Sequence, residues 1–121
     1  MRVDELLSKI NRDMFANINV NEILELRDDT MFDSEWIRVY KLIEEQKQSL
    51  GYSDEDKKSS DEYREMVYKK IYEYSDDSEL AAYISDDFGL IYDCEVLGYS
   101  DSWIEALENY YAMCQIPCGR L

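Results

Sequence analysis

Apolar residues recur at steps of three and four along almost the whole chain, and this spacing limits the possible folds more than any other feature. The clearest run extends from Leu80 to Leu97, where further apolar residues widen the same helical face. Only one proline and four glycines interrupt the pattern in 121 residues. A chain of this length suits one domain with a real core. We therefore predict a single all-α domain over residues 1–121, built from five or six amphipathic helices.

Two segments qualify this prediction. Residues 53–61, with the sequence SDEDKKSSD, are the most polar in the chain and are predicted to form a mobile loop. The segment DFGLIYDCEVLG, residues 87–98, supports the alternative of an α+β fold with short strands in the last third. Gly89 would then lie at a bulge.

The tripeptide Tyr-Ser-Asp occurs three times, beginning at Tyr52, Tyr74 and Tyr99. Each copy follows a helical run, and serine and aspartate side chains accept hydrogen bonds from the free amides at a helix start. We interpret the tripeptide as a boundary between helices, neither a recognition motif nor a true repeat. The first helix is expected to extend from Val3 to Met14. The later helix starts are expected at Asp33 or Ser34, Ser60 or Asp61, Asp77 or Ser78, and Ser100 or Asp101.

The charge is strongly acidic and unevenly distributed. The formal net charge is −15, and residues 61–121 carry 14 acidic but only 4 basic residues. Nine of the eleven tyrosines lie between Tyr63 and Tyr111. Such a surface repels nucleic acids and anionic membranes and attracts a basic protein, while tyrosines supply contact area at low entropic cost. These features favour binding to a basic protein partner, with no direct contact to nucleic acid or membrane.

Several classes of chemistry lack their usual residues. Histidine is absent, which removes the commonest general base and metal ligand. The three cysteines, Cys94, Cys114 and Cys118, are too few for a zinc site and odd in number for a disulfide framework. We therefore predict no enzyme, no catalytic residue, no metal site and no cofactor. Among the adjacent carboxylates only Asp87 falls near an apolar face, either as a buried, hydrogen-bonded group or at the edge of that face.

The N-terminus lacks the pattern of a signal peptide, and no apolar run is long enough for a membrane span. We therefore expect a cytoplasmic protein. In size, acidity, cytosolic character and missing catalytic residues, the chain resembles the bacterial immunity proteins of contact-dependent and other polymorphic toxin systems. That resemblance implies a protein that blocks a cognate toxin domain, commonly a nuclease with a cationic cleft, by occluding it.

The acidic second half supplies the predicted binding surface. The alternatives are a nucleic-acid mimic that inhibits a DNA-binding defence protein, and a helical adaptor domain with an apolar groove. The residues predicted to bind the partner are Asp76, Asp77, Glu79, Asp86, Asp93 and Tyr72.

Overall fold

The computed structural model describes residues 1–121 and contains six α-helices and no strand. A turn of 3₁₀-helix, Arg12–Phe15, follows the first helix. The predicted all-α domain is confirmed, and the strand alternative is wrong because residues 87–97 lie inside a helix. The helices are α1 (Arg2–Lys9), α2 (Val20–Asp28), α3 (Thr30–Ser49), α4 (Asp54–Ser75), α5 (Ser78–Leu97) and α6 (Ser102–Ala112).

Helix α5 is the centre of the domain, since 12 of its 20 residues are buried. It forms a hairpin with α4 across the short turn at Asp76 and Asp77, and it also packs against α1 and α3. This burial on several sides agrees with the wide apolar face of the sequence. None of the helices, α5 included, is both long enough and apolar enough to cross a membrane. Fully buried apolar residues from the other helices include Leu6, Val39, Ile43, Val67, Ile71 and Leu107.

The three Tyr-Ser-Asp copies do lie at helix boundaries. Ser53 caps α4 through a capping box, in which its Oγ accepts from the amide of Asp56 and its own amide donates to the Asp56 carboxylate. Asp77, one residue after the second copy, accepts from the amide of Leu80 at 2.8 Å and caps α5. Asp101 caps α6 in the same way. The interpretation of the tripeptide as a boundary is therefore confirmed.

The prediction of a mobile loop over residues 53–61 is wrong, because α4 begins at Asp54. Neither Ser60 nor Asp61 caps this helix. The first two turns of α4 extend beyond the core and bury only Ser60, so they carry no apolar stripe that the sequence could show. The capping box at Ser53 and the acidic residues of the first turn stabilise the helix start instead.

Two other predicted boundaries also differ from the structure. Helix α3 begins at Thr30, and the extended backbone of Asp29 alone separates it from α2. The first helix ends at Lys9, whereas the spacing extended it to Met14. The helix ends early because the side chain of Asn11 competes with the helical hydrogen bonds. It accepts a hydrogen bond from the Met14 amide and caps the 3₁₀ turn.

Candidate functional site

A buried ion pair between α2 and α5 lies beneath the candidate site. Arg27 donates from Nη2 to Oδ1 of Asp87 at 2.6 Å and from Nη1 to Oδ2 at 3.0 Å. The same carboxylate accepts from the indole Nε1 of Trp36 at 3.0 Å and from the hydroxyl of Tyr111 at 2.6 Å. Asp87 is fully buried, so the prediction of a buried, hydrogen-bonded carboxylate is correct, and the alternative of a position at the edge of the apolar face is wrong. One carboxylate thus links α2, α3, α5 and α6.

The electrostatics of this cluster keep each group in the state that the hydrogen bonds require. Burial would lower the pKa of Arg27, but the Asp87 carboxylate raises it above its ordinary value, so the guanidinium stays charged. Burial, together with Asp87, raises the pKa of Tyr111 well above the ordinary range, so its hydroxyl stays a donor. Arg27 also donates from Nη1 to the carbonyl of Pro117 at 2.9 Å, which fixes the C-terminal segment against α2.

Two adjoining cavities open above the ion pair, one of about 390 Å³ between α3, α4 and α5 and one of about 150 Å³ between α2, α3 and α5. Trp36 and Asp86 line both cavities. We call the two cavities together the α3–α5 groove. The larger cavity carries carboxylates and basic groups in similar number, whereas the smaller one carries an excess of carboxylates.

An aromatic pair forms the α3 wall of the groove. The rings of Trp36 and Tyr40 are stacked, with centroids 5.5 Å apart and planes inclined by 19°. The orientation of the Trp36 indole is fixed by a hydrogen bond, because its N–H donates to the buried carboxylate of Asp87. Tyr40 is 45% exposed, so its ring lies on the surface and not in the core. The pair therefore presents a flat, oriented aromatic surface to whatever enters the groove.

The smaller cavity is the acidic end of the groove. Asp28 and Asp33 line it from the α2–α3 junction, and Asp86 lines it from α5. The hydroxyl of Tyr83 donates to Oδ1 of Asp28 at 2.7 Å, which raises the pKa of Tyr83 to about 12. Glu79 lies one helical turn before Tyr83 on α5, and its charge also raises the pKa of the Tyr83 hydroxyl. A positively charged side chain entering here would meet carboxylates from two sides and aromatic rings between them.

The opposite end of the groove is neutralised by lysine. Lys47 lies 3.0 Å from Oδ2 of Asp93 and 2.9 Å from Glu44, and the two carboxylates raise its pKa although burial opposes them. Tyr52 donates to Oδ1 of Asp93 at 2.5 Å. Burial and this hydrogen bond raise the pKa of Tyr52 above its ordinary value. Asp93 is thus buried, and each of its two oxygens already has a partner within the protein.

Arg64 of α4 reaches across α5 to pair with Asp86 in the middle of the groove. It can do so because residue 89 is glycine. A Cβ at Gly89 would lie 2.7 Å from Cδ and 2.9 Å from Cγ of Arg64, closer than real contacts allow. The glycine in the middle of a helix therefore provides the space for this crossing side chain.

The structure divides the predicted binding residues into two groups. Glu79 and Asp86 lie on one face of α5 at the acidic end, with Asp76 and the cap residue Asp77 just before them at the α4–α5 turn. The other two lie elsewhere. Asp93 is buried at the neutralised end, and Tyr72 is exposed on α4, where it stacks on Tyr68 with ring centroids 6.2 Å apart.

Sequence reasoning missed the contribution of the first half of the chain. Asp28, Asp33 and Trp36 line the groove but were not among the predicted binding residues, and Asp33 was considered only as a possible helix start. The spacing of Trp36 and Tyr40, one helical turn apart, could have indicated a shared aromatic face. Nothing in the sequence could have placed Arg27 beside Asp87.

The three cysteines take no part in the groove lining and are all free. Cys94 is buried in the core, and burial raises the pKa of its thiol to about 12. Cys118 is half-buried and Cys114 is exposed. At neutral pH the buried thiol therefore stays protonated and packs as a small apolar group.

Comparison with known proteins gives one match. No curated protein and no solved structure is significantly similar to the chain. The family model described as immunity protein PIM1 matches residues 2–118, from the start of α1 to the C-terminal segment that Arg27 holds in place. The matched range includes every helix and the whole α3–α5 groove. The chain therefore belongs to the family of immunity protein PIM1.

Proposed function

We propose that this immunity protein blocks a cognate toxin domain by binding it, without catalysis, through the acidic end of the α3–α5 groove. Family membership supports the immunity role, and the groove supports the mode of binding. The observation that carries the proposal is the oriented Trp36–Tyr40 pair beside the carboxylates of Asp28 and Asp33, neither of which takes part in an ion pair. Aromatic anchors flanked by charge are typical of binding hot spots.

The partner that fits this surface is basic. The protein carries a net charge of −15, which accelerates association with a cationic surface and repels nucleic acid. A toxin that acts on nucleic acid needs a cationic cleft to hold phosphates, so a nuclease-like domain is the target that we propose. Occlusion of that cleft in the cytoplasm of the producing cell would protect the cell.

The remaining predicted residues extend the proposed surface. Asp76, Asp77 and Glu79 form its outer rim at the start of α5, where they would steer the basic partner. Rim charges of this kind act mainly on the rate of association. Tyr72 lies on α4 and is proposed as a peripheral contact.

Nucleic-acid mimicry receives less support from the side-chain contacts. A mimic needs a row of free carboxylates, and Glu79, Asp86 and Asp93 are spaced along one face of α5. Yet Asp86 is paired with Arg64 and Asp93 with Lys47, so only Glu79 is free of an ion pair. The row therefore does not resemble a phosphate backbone electrostatically.

The proposal is tested by measuring the affinity of variants for the cognate toxin domain. Asp33→Lys reverses one charge in the groove, and Glu45→Lys makes the same change on an exposed part of α3 that does not line it. We expect Asp33→Lys and Tyr40→Ala each to weaken binding about tenfold or more, which corresponds to about 1.4 kcal/mol. Glu45→Lys should have a much smaller effect. Equal losses for Asp33→Lys and Glu45→Lys would show that only net charge matters and would refute the groove assignment.

A further inference from the structure

Arg64 and Asp86 form an ion pair in the middle of the α3–α5 groove, and both side chains line its larger cavity. The two side chains are 46% and 40% exposed, so water screens their attraction. The hydrogen bond joins one guanidinium nitrogen to Oδ1 of Asp86, while Oδ2 accepts no hydrogen bond from the protein. An exposed, single-point pair of this kind contributes little to stability and is easily exchanged for another.

The path of Arg64 across α5 comes at a cost to that helix. The three heavy atoms nearest to a Cβ at position 89 all belong to Arg64, so Arg64 is the neighbour that requires Gly89. Glycine is unfavourable in the middle of a helix, and an exposed ion pair offsets that cost poorly. Stability therefore does not account for the arrangement. What the arrangement does is hold a cation inside the groove.

A second carboxylate lies within reach of Arg64. Its Nη1 is 3.9 Å from Oδ1 of Asp61, one turn earlier on α4, and Asp61 also lines the larger cavity. A guanidinium that leaves Asp86 can therefore pair with Asp61 and keep a counterion. Asp93 differs, because it is buried and both its oxygens are bonded. Of these two paired carboxylates on α5, Asp86 is thus the one that a partner can take over.

The surroundings of Asp86 favour an arginine over a lysine as the group that replaces Arg64. Asp86 and Trp36 line both cavities of the groove. An arginine from a partner can place its planar fork on both oxygens of Asp86 and its flat face against an aromatic ring. A lysine ammonium makes only a point contact, which is no better than the one that Arg64 already makes.

We propose that one arginine side chain of the toxin domain displaces Arg64 from Asp86 when the complex forms. The identity of the entering group rests on the proposed function, whereas the occupation of Asp86 by Arg64 is a property of the free protein. Arg64 is then a specificity-determining residue, because a partner must offer a better ligand than a single-point guanidinium. Weakly binding cations are thereby kept out of a groove in a protein of net charge −15.

Displacement is tested first on the free protein, with N-acetyl-arginine amide as the probe and N-acetyl-lysine amide as its comparison, at constant ionic strength. The chain has two tryptophans, so the ¹⁵N-labelled protein gives two indole N–H signals, and Trp103→Phe identifies that of Trp36. We expect the arginine probe to shift the Trp36 signal saturably. The lysine probe should bind about threefold more weakly or worse. Equal affinity of the two probes, or a Trp36 signal that does not move, would overturn the proposal.

Removal of the competing side chain should improve binding. Arg64→Gln is expected to bind the arginine probe about two- to fivefold more tightly, which corresponds to about 0.4–1 kcal/mol. Arg12→Gln is the matched control, because Arg12 also forms an exposed ion pair, 3.5 Å from Glu73, and neither residue lines the groove. In an Asp86→Asn background, Arg64→Gln should bring no more gain than Arg12→Gln. Equal gains for the two variants in the wild-type background would refute the competition.

The same variants are then measured with the toxin domain and the full chain. Arg64→Gln should tighten binding about two- to fivefold, and Arg12→Gln much less. If Asp33→Lys weakens binding but Arg64→Gln has no more effect than Arg12→Gln, the proposed function stands and the displacement of Arg64 fails. If Asp33→Lys leaves the affinity unchanged, the groove assignment fails and the entry of a toxin arginine fails with it.

Discussion

Arg27 and Asp87, 60 residues apart in the sequence, form a two-point ion pair inside the core, where neither side chain is more than 4% exposed. Geometry of this kind is needed to offset the cost of removing two charges from water. The pair also orients Trp36, so the groove depends on it. The stability of the fold and the shape of the candidate site therefore share one contact.

Removing one partner of this pair should be strongly destabilising. Asp87→Asn leaves the Arg27 guanidinium without a counterion, and we expect it to lower the free energy of unfolding by about 3–5 kcal/mol. The double variant Arg27→Met with Asp87→Leu removes both charges and should be considerably more stable than Asp87→Asn. Urea denaturation of the wild type, Asp87→Asn and the double variant measures the three free energies of unfolding. A single variant that matches the wild type would mean that the carboxylate does not hold the charge of Arg27.

Gly89 and Arg64 should be coupled energetically. Alanine stabilises the middle of a helix by about 0.5–1 kcal/mol over glycine, but at position 89 it would collide with Arg64. We expect Gly89→Ala to be neutral or destabilising in the wild type and stabilising in the Arg64→Ala background. A double-mutant cycle from urea denaturation should give a coupling of about 1 kcal/mol. Additive effects would show that Arg64 does not occupy the space above the glycine.

The capping box should account for the start of α4. Ser53→Ala removes the acceptor for the Asp56 amide and is expected to cost about 1 kcal/mol of stability. Ser78→Ala is a suitable control, because Ser78 is exposed at the first position of α5 and its side chain caps nothing. Thermal and urea denaturation compare the two variants. Equal effects would mean that the polar start of α4 does not depend on the box.

Alkaline pH should destabilise the protein through its bonded tyrosines. Hydrogen bonds to Asp4 and Asp28, with a smaller effect of burial, raise the pKa values of Tyr63 and Tyr83 to about 12 each. In the unfolded chain a tyrosine ionises near pH 10, so between about pH 10 and 12 the folded state holds more protons. Stability is therefore complete below pH 10 and falls as the pH rises through this window.

A double variant tests the source of this alkaline loss. Tyr63→Phe with Tyr83→Phe should lose less stability than the wild type between about pH 10 and 12, as measured from urea midpoints. Tyr72→Phe, which removes an exposed hydroxyl without a hydrogen bond, should follow the wild-type curve. If the double variant loses as much stability as the wild type, other groups cause the effect.

The sequence predicts those parts of the fold that rest on local patterns. The apolar spacing from Leu80 to Leu97 indicated the central helix. The caps Asp77 and Asp101 were each one of two adjacent residues predicted at a helix start, because a capping side chain acts within three residues. The same method failed at the start of α4, where the helix is stabilised by Ser53 and Asp56 without burying an apolar face. A polar sequence alone does not distinguish a loop from a solvated helix.

The candidate site was predicted less well, because it is made by contacts between distant segments. The acidic side of α5 was found from charge and spacing, and Asp86 does lie in the groove. Asp93 was predicted to bind the partner together with Asp86, but Lys47 and Tyr52, more than 40 residues earlier, pair with it and bury it. The partners of Asp93 and of Arg27 lie on other helices, far away in the sequence. Helical periodicity relates only residues of the same helix, so it could not have predicted either ion pair.

The contacts of Arg27 also bear on when the protein acquires its shape during synthesis. Its guanidinium pairs with Asp87 and with the carbonyl of Pro117, and Tyr111 shares the same carboxylate. All three partners are translated long after Arg27 itself. Helices α1 to α4 can form earlier, but the charge of Arg27 has no counterion until Asp87 has left the ribosome, and the cluster is complete only after Pro117 has followed. Nascent chains are therefore expected to lack the α3–α5 groove, which takes its shape only after α5, α6 and the C-terminal segment have all been translated.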